Sequence, residues 1–219
     1  MTSASANIVI EAARAFIVDE SDAVRHVAQL VDDTFVRVAT HLLEGKGKVV
    51  ITGAGTSGFI ARRAAHLCSV AGTPAFFLNP TDGLHGSMGV MRPDDVLIAL
   101  SKGGDSAEVN DLAVRVKDAG SLVIALTSSP SGALAGLADI VVKLEGVHTA
   151  DPGGLIAMGS TLAYGAWLDA LAYALMRARQ YSWEAVHYTH PGGAVGGLSV
   201  MPEPVAPLQI RSEADTETI

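Results

Sequence analysis

From Lys48 onward the chain alternates short apolar runs with longer alanine-rich ones, and that alternation leaves few folds open. Val49–Thr52, Ala75–Leu78, Val96–Leu100, Leu122–Thr127 and Ile140–Leu144 read as five strands. They are short and often β-branched, the pattern of strands covered on both faces. Between them Thr56–Ala71, Thr81–Met88, Ser106–Ala119 and Ser131–Leu137 have the length of helices or helical turns. Strand and helix repeated in this way predict an α/β fold. It is a three-layer α/β/α sandwich around a five-stranded parallel sheet, with right-handed crossovers.

The first 45 residues read as helix, because Val24, Val27, Val31, Phe35, Val38 and Leu42 recur at helical spacing. Ser21 is the expected N-cap dividing this stretch into two helices. Leu155–Arg179 reads as a long apolar helix for the core or a subunit contact. The expected organisation is one domain over residues 1–200, with N-terminal helices over 1–45 and the α/β core over 46–200. Residues 201–219 begin proline-rich and end acidic, so they are expected to form a mobile tail.

The formal net charge of −8 supplies no basic footprint, so nucleic acid is excluded as a partner. An anionic ligand must instead be gripped locally, by backbone amides and hydroxyls. A single cysteine, Cys68, rules out an intramolecular disulfide and reads as a buried small hydrophobe. No signal peptide and no uninterrupted apolar run of membrane-spanning length is evident, so a cytoplasmic protein without membrane association is expected.

Two loops carry the chemistry. Gly53-Ala54-Gly55-Thr56-Ser57-Gly58 follows the first strand and matches the dinucleotide pattern. A nicotinamide site also needs an acid at the end of the second strand. That strand ends Phe77-Leu78-Asn79-Pro80, and no acid appears before Asp82. No cofactor is therefore expected. The glycines let the backbone approach an anion or a sugar at a helix N-terminus, where Gly55, Thr56 and Ser57 are the candidate contacts. The second loop, Ser101-Lys102-Gly103-Gly104-Asp105-Ser106, follows the third strand and opens a helix. Hydroxyls and amides at such a place cradle phosphate. Ser101, Lys102, Gly103, Gly104 and Ser106 are the candidates; the competing reading is a capped loop with Ser106 only as N-cap. Ser160 and Thr161 add a hydroxyl pair near the start of the long helix.

Three segments in order resemble the SIS (sugar isomerase) family. They are Gly53–Gly58 with its helix, the stretch from Pro74 through His85-Gly86 to the Ser101–Ser106 loop, and Thr189-His190-Pro191-Gly192-Gly193-Ala194-Val195-Gly196. The last is close to the Ser-His-Pro-Gly-Gly-Ala-Leu-Gly of the arabinose-5-phosphate isomerases. Ala157-Met158-Gly159-Ser160 is similar to a motif of the 6-phospho-3-hexuloisomerases. The resemblance implies a flavodoxin-like SIS fold, a sugar phosphate as ligand and no required metal. It also implies a homo-oligomer, dimer or tetramer, with sites near subunit boundaries. Three departures stand out: Gly103 replaces a phosphate-binding serine, Thr56 replaces a lysine, and Thr149 falls where those isomerases carry a catalytic glutamate.

The activity so implied is interconversion of an aldose phosphate and a ketose phosphate through an enediol, which needs an acid–base group near C1 and C2. His190, ahead of a rigid Pro-Gly-Gly turn, is the first candidate for ring opening or proton shuttling. His85 occupies a second family active-site position. Asp105 either orients a sugar hydroxyl or caps its helix. Asp151 and His148 are the candidates for the C–H base. His187 and His190 have metal-ligand spacing, but no carboxylate pattern completes a metal site. Two other functions compete: a phosphosugar-binding sensor without chemistry, and lyase or dehydratase chemistry on a related ligand.

Overall fold

Each predicted strand is apolar at odd and even positions alike, and side chains alternate between the faces of a sheet, so both faces must be covered. The computed structural model, which describes residues 3–146 and 150–210, shows how. Strands β1 (Val49–Gly53), β2 (Ala75–Phe77), β3 (Val96–Leu100), β4 (Leu122–Thr127) and β5 (Ile140–Lys143) are all parallel. Their order is β2-β1-β3-β4-β5. Val49, Ile51, Ile98, Leu100, Ile124 and Leu126 pack on one side against α2 (Asp33–Glu44), α3 (Gly55–Val70) and α7 (Gly159–Ala178). Val50, Leu97, Ala99, Val123 and Ala125 pack on the other against α4 (Pro80–Leu84), α5 (Ala107–Asp118) and α6 (Ala133–Leu137).

Alanine makes the first layer thin. Ala61, Ala64, Ala65 and Cys68 form the buried stripe of α3, which lets that helix lie close to the sheet. Trp167 on α7 fills the remaining space, 1% exposed and edge-on to Phe35 with ring centroids 5.2 Å apart. Burial pushes the Cys68 thiol up to about 12, so it stays protonated and unreactive.

The N-terminal division differs from expectation. Helix α1 runs unbroken from Ser3 to Val27 through Ser21. The break comes at residues 28–32, where the Asp32 carboxylate accepts the amide of Thr34 at 2.9 Å and caps α2. A carboxylate that reaches the first free amide caps a helix, and a serine inside a continuing ladder has no such amide to take. Other boundaries move for similar local reasons. Gly86, with φ of +109°, separates α4 from a 3-10 turn over Ser87–Val90. Gly153 and Gly154, at φ of +63° and +70°, turn the chain so that α7 starts at Gly159 rather than Leu155.

Residues 201–210, expected to be mobile from Pro202, lie as an extended strap across α7 and α8 (Trp183–Thr189). The remainder of the expected tail, 211–219, lies outside the described residues. The Trp183 indole donates to the carbonyl of Glu203 at 3.0 Å, and the Arg177 guanidinium to that of Ala206 at 2.8 Å. Ile210 reaches the core cluster. A cavity of about 230 Å³ lies beneath, between Tyr181, Trp183 and Pro204. Among the described residues no helix is long and apolar enough to cross a membrane.

Carboxylates tie the amino edge of the sheet: Asp139 accepts the amide of Val123 at 2.9 Å, and Asp95 does more. Asp95 accepts the amides of Lys48 and Arg92 at 2.9 and 2.7 Å and the Lys48 ammonium as well. Burial pushes its pKa up, but these donors outweigh burial and hold it below the ordinary carboxylate value. Asp95→Ala strips partners from two backbone amides, so urea unfolding at neutral pH should show a loss of about 2–4 kcal/mol. Because the folded pKa is depressed, the unfolded chain binds the proton more tightly. The Asp95 contribution is therefore complete above the ordinary carboxylate range and is lost as pH falls through the folded value. Unfolding curves across acid pH should accordingly show a shallower acid loss for the variant than for the parent.

Candidate functional site at the carboxyl edge of the sheet

In an open parallel sheet the loops diverge where the strand order reverses, leaving a crevice beyond the carboxyl ends of the strands. Here the reversal lies between β1 and β3, the two strands followed by the glycine loop and the serine loop.

The serine loop is rigid by construction. Ser101 continues β3 and is buried, its amide on the carbonyl of Leu126 at 3.1 Å. The Ser101 hydroxyl accepts the amide of Gly104 at 3.1 Å, closing a tight turn. Gly104 has φ of +77°, and a β-carbon there would meet the Gly132 backbone at 3.1 Å, so glycine is required. Its carbonyl accepts the Asn110 amide group and the backbone amide of Leu134. Gly104 therefore shapes the loop, and its own amide is spent within it. Gly103 is exposed with open space around it.

Ser106 occupies the N-cap position of α5, yet its hydroxyl makes no cap hydrogen bond. It lies instead 3.3 Å from the Ser101 hydroxyl. Two hydroxyl oxygens thus meet at the start of a helix whose first amides have no partners within that helix. Of the two expectations for Asp105, the cap on its own helix is not formed. Its carboxylate accepts the amide of Ala133 at 3.1 Å, capping the short α6 rather than its own helix.

Lys102 and Asp151 form an ion pair, Nζ to Oδ2 at 2.6 Å. The other Asp151 oxygen accepts the amides of Met158 and Ser160 at 2.8 and 3.0 Å, capping the start of α7. Burial raises the Asp151 pKa, but the Lys102 ammonium and these donors outweigh it and hold the carboxyl below its ordinary value. With both oxygens committed, Asp151 is built as a cap and counter-ion, a poor arrangement for a C–H base. Ser160 is buried beneath the turn, and the Thr161 hydroxyl donates back to the carbonyl of Met158 at 2.7 Å. The Ser160 hydroxyl has no hydrogen-bond partner among the described residues.

Gly55 opens α3 at φ of +54°, with Thr56 exposed and Ser57 partly covered beside it. A cavity of about 220 Å³ adjoins this turn, between Gly53, Gly58, Phe59, Arg62 and Asn79. The Arg62 guanidinium lies over the Phe77 ring, 4.6 Å from its centroid.

The histidines are more peripheral. His85 is exposed at the end of α4. His190 ends α8, ahead of α9 (Gly193–Gly196), with Nδ1 at 2.8 Å from the carbonyl of Val186. A carbonyl only accepts, so Nδ1 donates to it, which in the neutral ring puts the lone pair on Nε2. His148 and Thr149 lie outside the described residues. Among the described residues no group of three or more His, Cys, Asp or Glu side chains could hold a metal ion.

Sequence reasoning passes over the residues that brace the loop. The Thr127 hydroxyl and the Ser128 amide both donate to the carbonyl of Lys102. Ser128 in turn meets the Tyr164 hydroxyl at 2.9 Å. Burial, aided by the nearby Asp151 charge, pushes the Tyr164 phenol up to about 12. The readable signal is three consecutive hydroxyls, Thr127-Ser128-Ser129, at the end of a buried strand.

Comparison with known proteins places this geometry. The SIS domain family matches residues 42–174. Arabinose 5-phosphate isomerase KdsD of Pseudomonas aeruginosa is 38% identical over 177 residues, 81% of this chain and 54% of that protein. The enzyme of that name from Escherichia coli K12 is 34% identical over 186 residues, 85% of this chain and 57% of that protein. The chain thus spans about half the length of the curated relatives it matches. Among solved structures, the Escherichia coli CFT073 protein c3406 in complex with arabinose 5-phosphate superposes with a TM-score of 0.81 at 31% identity. That match covers 87% of this chain and 100% of the other. A Methanococcus jannaschii protein, inferred to be a 3-hexulose-6-phosphate isomerase, shares the fold with a TM-score of 0.65 at 21% identity, over 80% of this chain and 96% of that one. With a buried parallel sheet, a hydroxyl-lined loop at its point of reversal and relatives of this kind, the chain belongs to the SIS domain family.

Proposed function

We propose that the protein is an aldose–ketose isomerase of a phosphorylated sugar, with arabinose 5-phosphate the first substrate to try. The observation that carries this reading is the pair of hydroxyls, Ser101 and Ser106, 3.3 Å apart at the start of α5. With the exposed Gly103 backbone and the first amides of α5, they offer neutral donors for a phosphate without a net positive patch. Thr56 and Ser57 flank the crevice after β1 and would take sugar hydroxyls.

His190 is the acid–base group of this reading, with Nε2 free to accept a proton during ring opening or between the C1 and C2 oxygens. Ile8, Val9, Ile17 and Val18 are exposed apolar residues distributed around α1, and Leu155 and Tyr188 stand in solvent beside the candidate segments. A homo-oligomer, dimer or tetramer, covers these residues and brings His190 or His85 of one copy toward the crevice of another. The protein then works as a cytoplasmic enzyme needing no metal or cofactor.

A second reading, a phosphosugar sensor without chemistry, draws on the commitment of Asp105 and Asp151 to backbone amides. Under it the ligand binds and stabilises the fold but does not turn over.

The double variant Ser101→Ala/Ser106→Ala tests the common ground. Hydrogen bonds to a charged group are each worth about 1.5–3 kcal/mol, so phosphosugar affinity should fall by at least about a hundredfold. Calorimetric titration that finds parent and variant equal removes the phosphosugar site. Turnover separates the two readings. His190→Asn should lower kcat by about 10²–10⁴ with affinity retained. A parent that binds yet exchanges no C2 proton with solvent favours the sensor. Sedimentation tests the assembly: Ile8→Glu/Ile17→Glu should shift an oligomer toward monomer, and a monomeric parent refutes it.

A further inference from the structure

Lys102 is the second residue of the serine loop, and its ammonium is paired outside that loop. It lies 2.6 Å from the Asp151 carboxylate and 3.5 Å from the carbonyl of Gly154. The Asp151 side chain is fully covered, whereas Lys102 keeps 28% of its side-chain exposure. A covered carboxylate needs its counter-ion continuously, because its charge has little water to fall back on. The lysine is therefore held by a partner already in the protein.

The pair also joins two elements. Lys102 belongs to the loop after β3, and Asp151 caps the first turn of α7 through the amides of Met158 and Ser160. Between them the chain passes through β4 and β5, and a turn with two left-handed glycines, Gly153 and Gly154, leads on from Asp151 to α7. The loop's remaining hydrogen bonds run within itself or to β4, α5 and α6. The Asp151 carboxylate is thus the direct side-chain link from the serine loop to the start of α7, beside the indirect path through Ser128 to Tyr164.

We infer that Lys102 and Asp151 are positioning residues. They clamp the serine loop to α7 so that its hydroxyls face the ligand at a fixed separation, and the ammonium does not bind the phosphate itself. This rests on the phosphosugar reading above. It assigns the lone cation of the loop a structural partner, with the anion's affinity coming from neutral donors.

A double-mutant cycle with arabinose 5-phosphate as probe, read by calorimetry, tests the clamp. Lys102→Met and Asp151→Asn should each weaken binding by about tenfold to a hundredfold. Asparagine keeps an oxygen for the amides of Met158 and Ser160, so α7 retains its cap. The double variant should bind no worse than the weaker single, because both changes remove the same link. Lys102→Arg, which keeps a cation within reach of Asp151, should stay within about threefold of the parent.

Unchanged affinity in Lys102→Met overturns the clamp. So do losses that multiply in the double variant, which would mean that Lys102 holds the phosphate independently of Asp151. If Asp151→Asn fails to fold, the contrast between Lys102→Met and Lys102→Arg still decides: equal affinities overturn the clamp. A parent that binds no phosphosugar removes the functional reading and this inference with it. A parent that binds tightly alongside an indifferent Lys102→Met removes the inference alone.

Discussion

A parallel sheet covered on both faces leaves its backbone only two places to meet water, the amino and carboxyl edges. Several of the buried polar residues are arranged around that constraint. At the amino edge Asp95 gathers two amides and a lysine. At the carboxyl edge Ser101, Ser106, Thr127 and Ser128 take over from the strands' last apolar residues. Because β1 and β3 send their following helices to opposite faces, their loops part, and the edge opens into a crevice rather than a flat rim.

The proposed phosphosugar site draws on the same constraint, taking an anion into an acidic chain through neutral donors. Its donors are hydroxyls and amides fixed by strand ends and helix starts, so little reorientation is needed at the moment of binding. They act at contact distance, whereas physiological salt screens the net charge of −8 over about 8 Å. The cation and anion within the site, Lys102 and Asp151, cancel each other.

Much of the fold is readable from the residues. The predicted bounds Val96–Leu100 and Leu122–Thr127 coincide with β3 and β4, because a run of buried apolar residues between turn formers has sharp ends. The helical boundaries are less legible. Ser21 and Asp32 are both good caps, and only the tertiary position of α1 against α7 decides which amides go free. The strap over 201–210 escapes a compositional reading, since composition reports how little a segment can bury by itself, not what a neighbouring helix offers it. In the site, the serine loop is legible from its place after a strand. The commitments of Asp105, Asp151 and Gly104 are not, since each depends on an amide more than five residues away in sequence or on a turn no pattern specifies.

The sequence holds two tryptophans, and the fold puts them in unlike surroundings. Trp167 is sealed in the helical layer beside Phe35, while Trp183 lies under the strap with its indole bound to Glu203. An indole in a dry core emits toward the blue, and one released into water emits toward the red. The protein's native fluorescence therefore has two separable sources. One follows loosening of the core, the other follows lifting of the strap, and neither requires an introduced label.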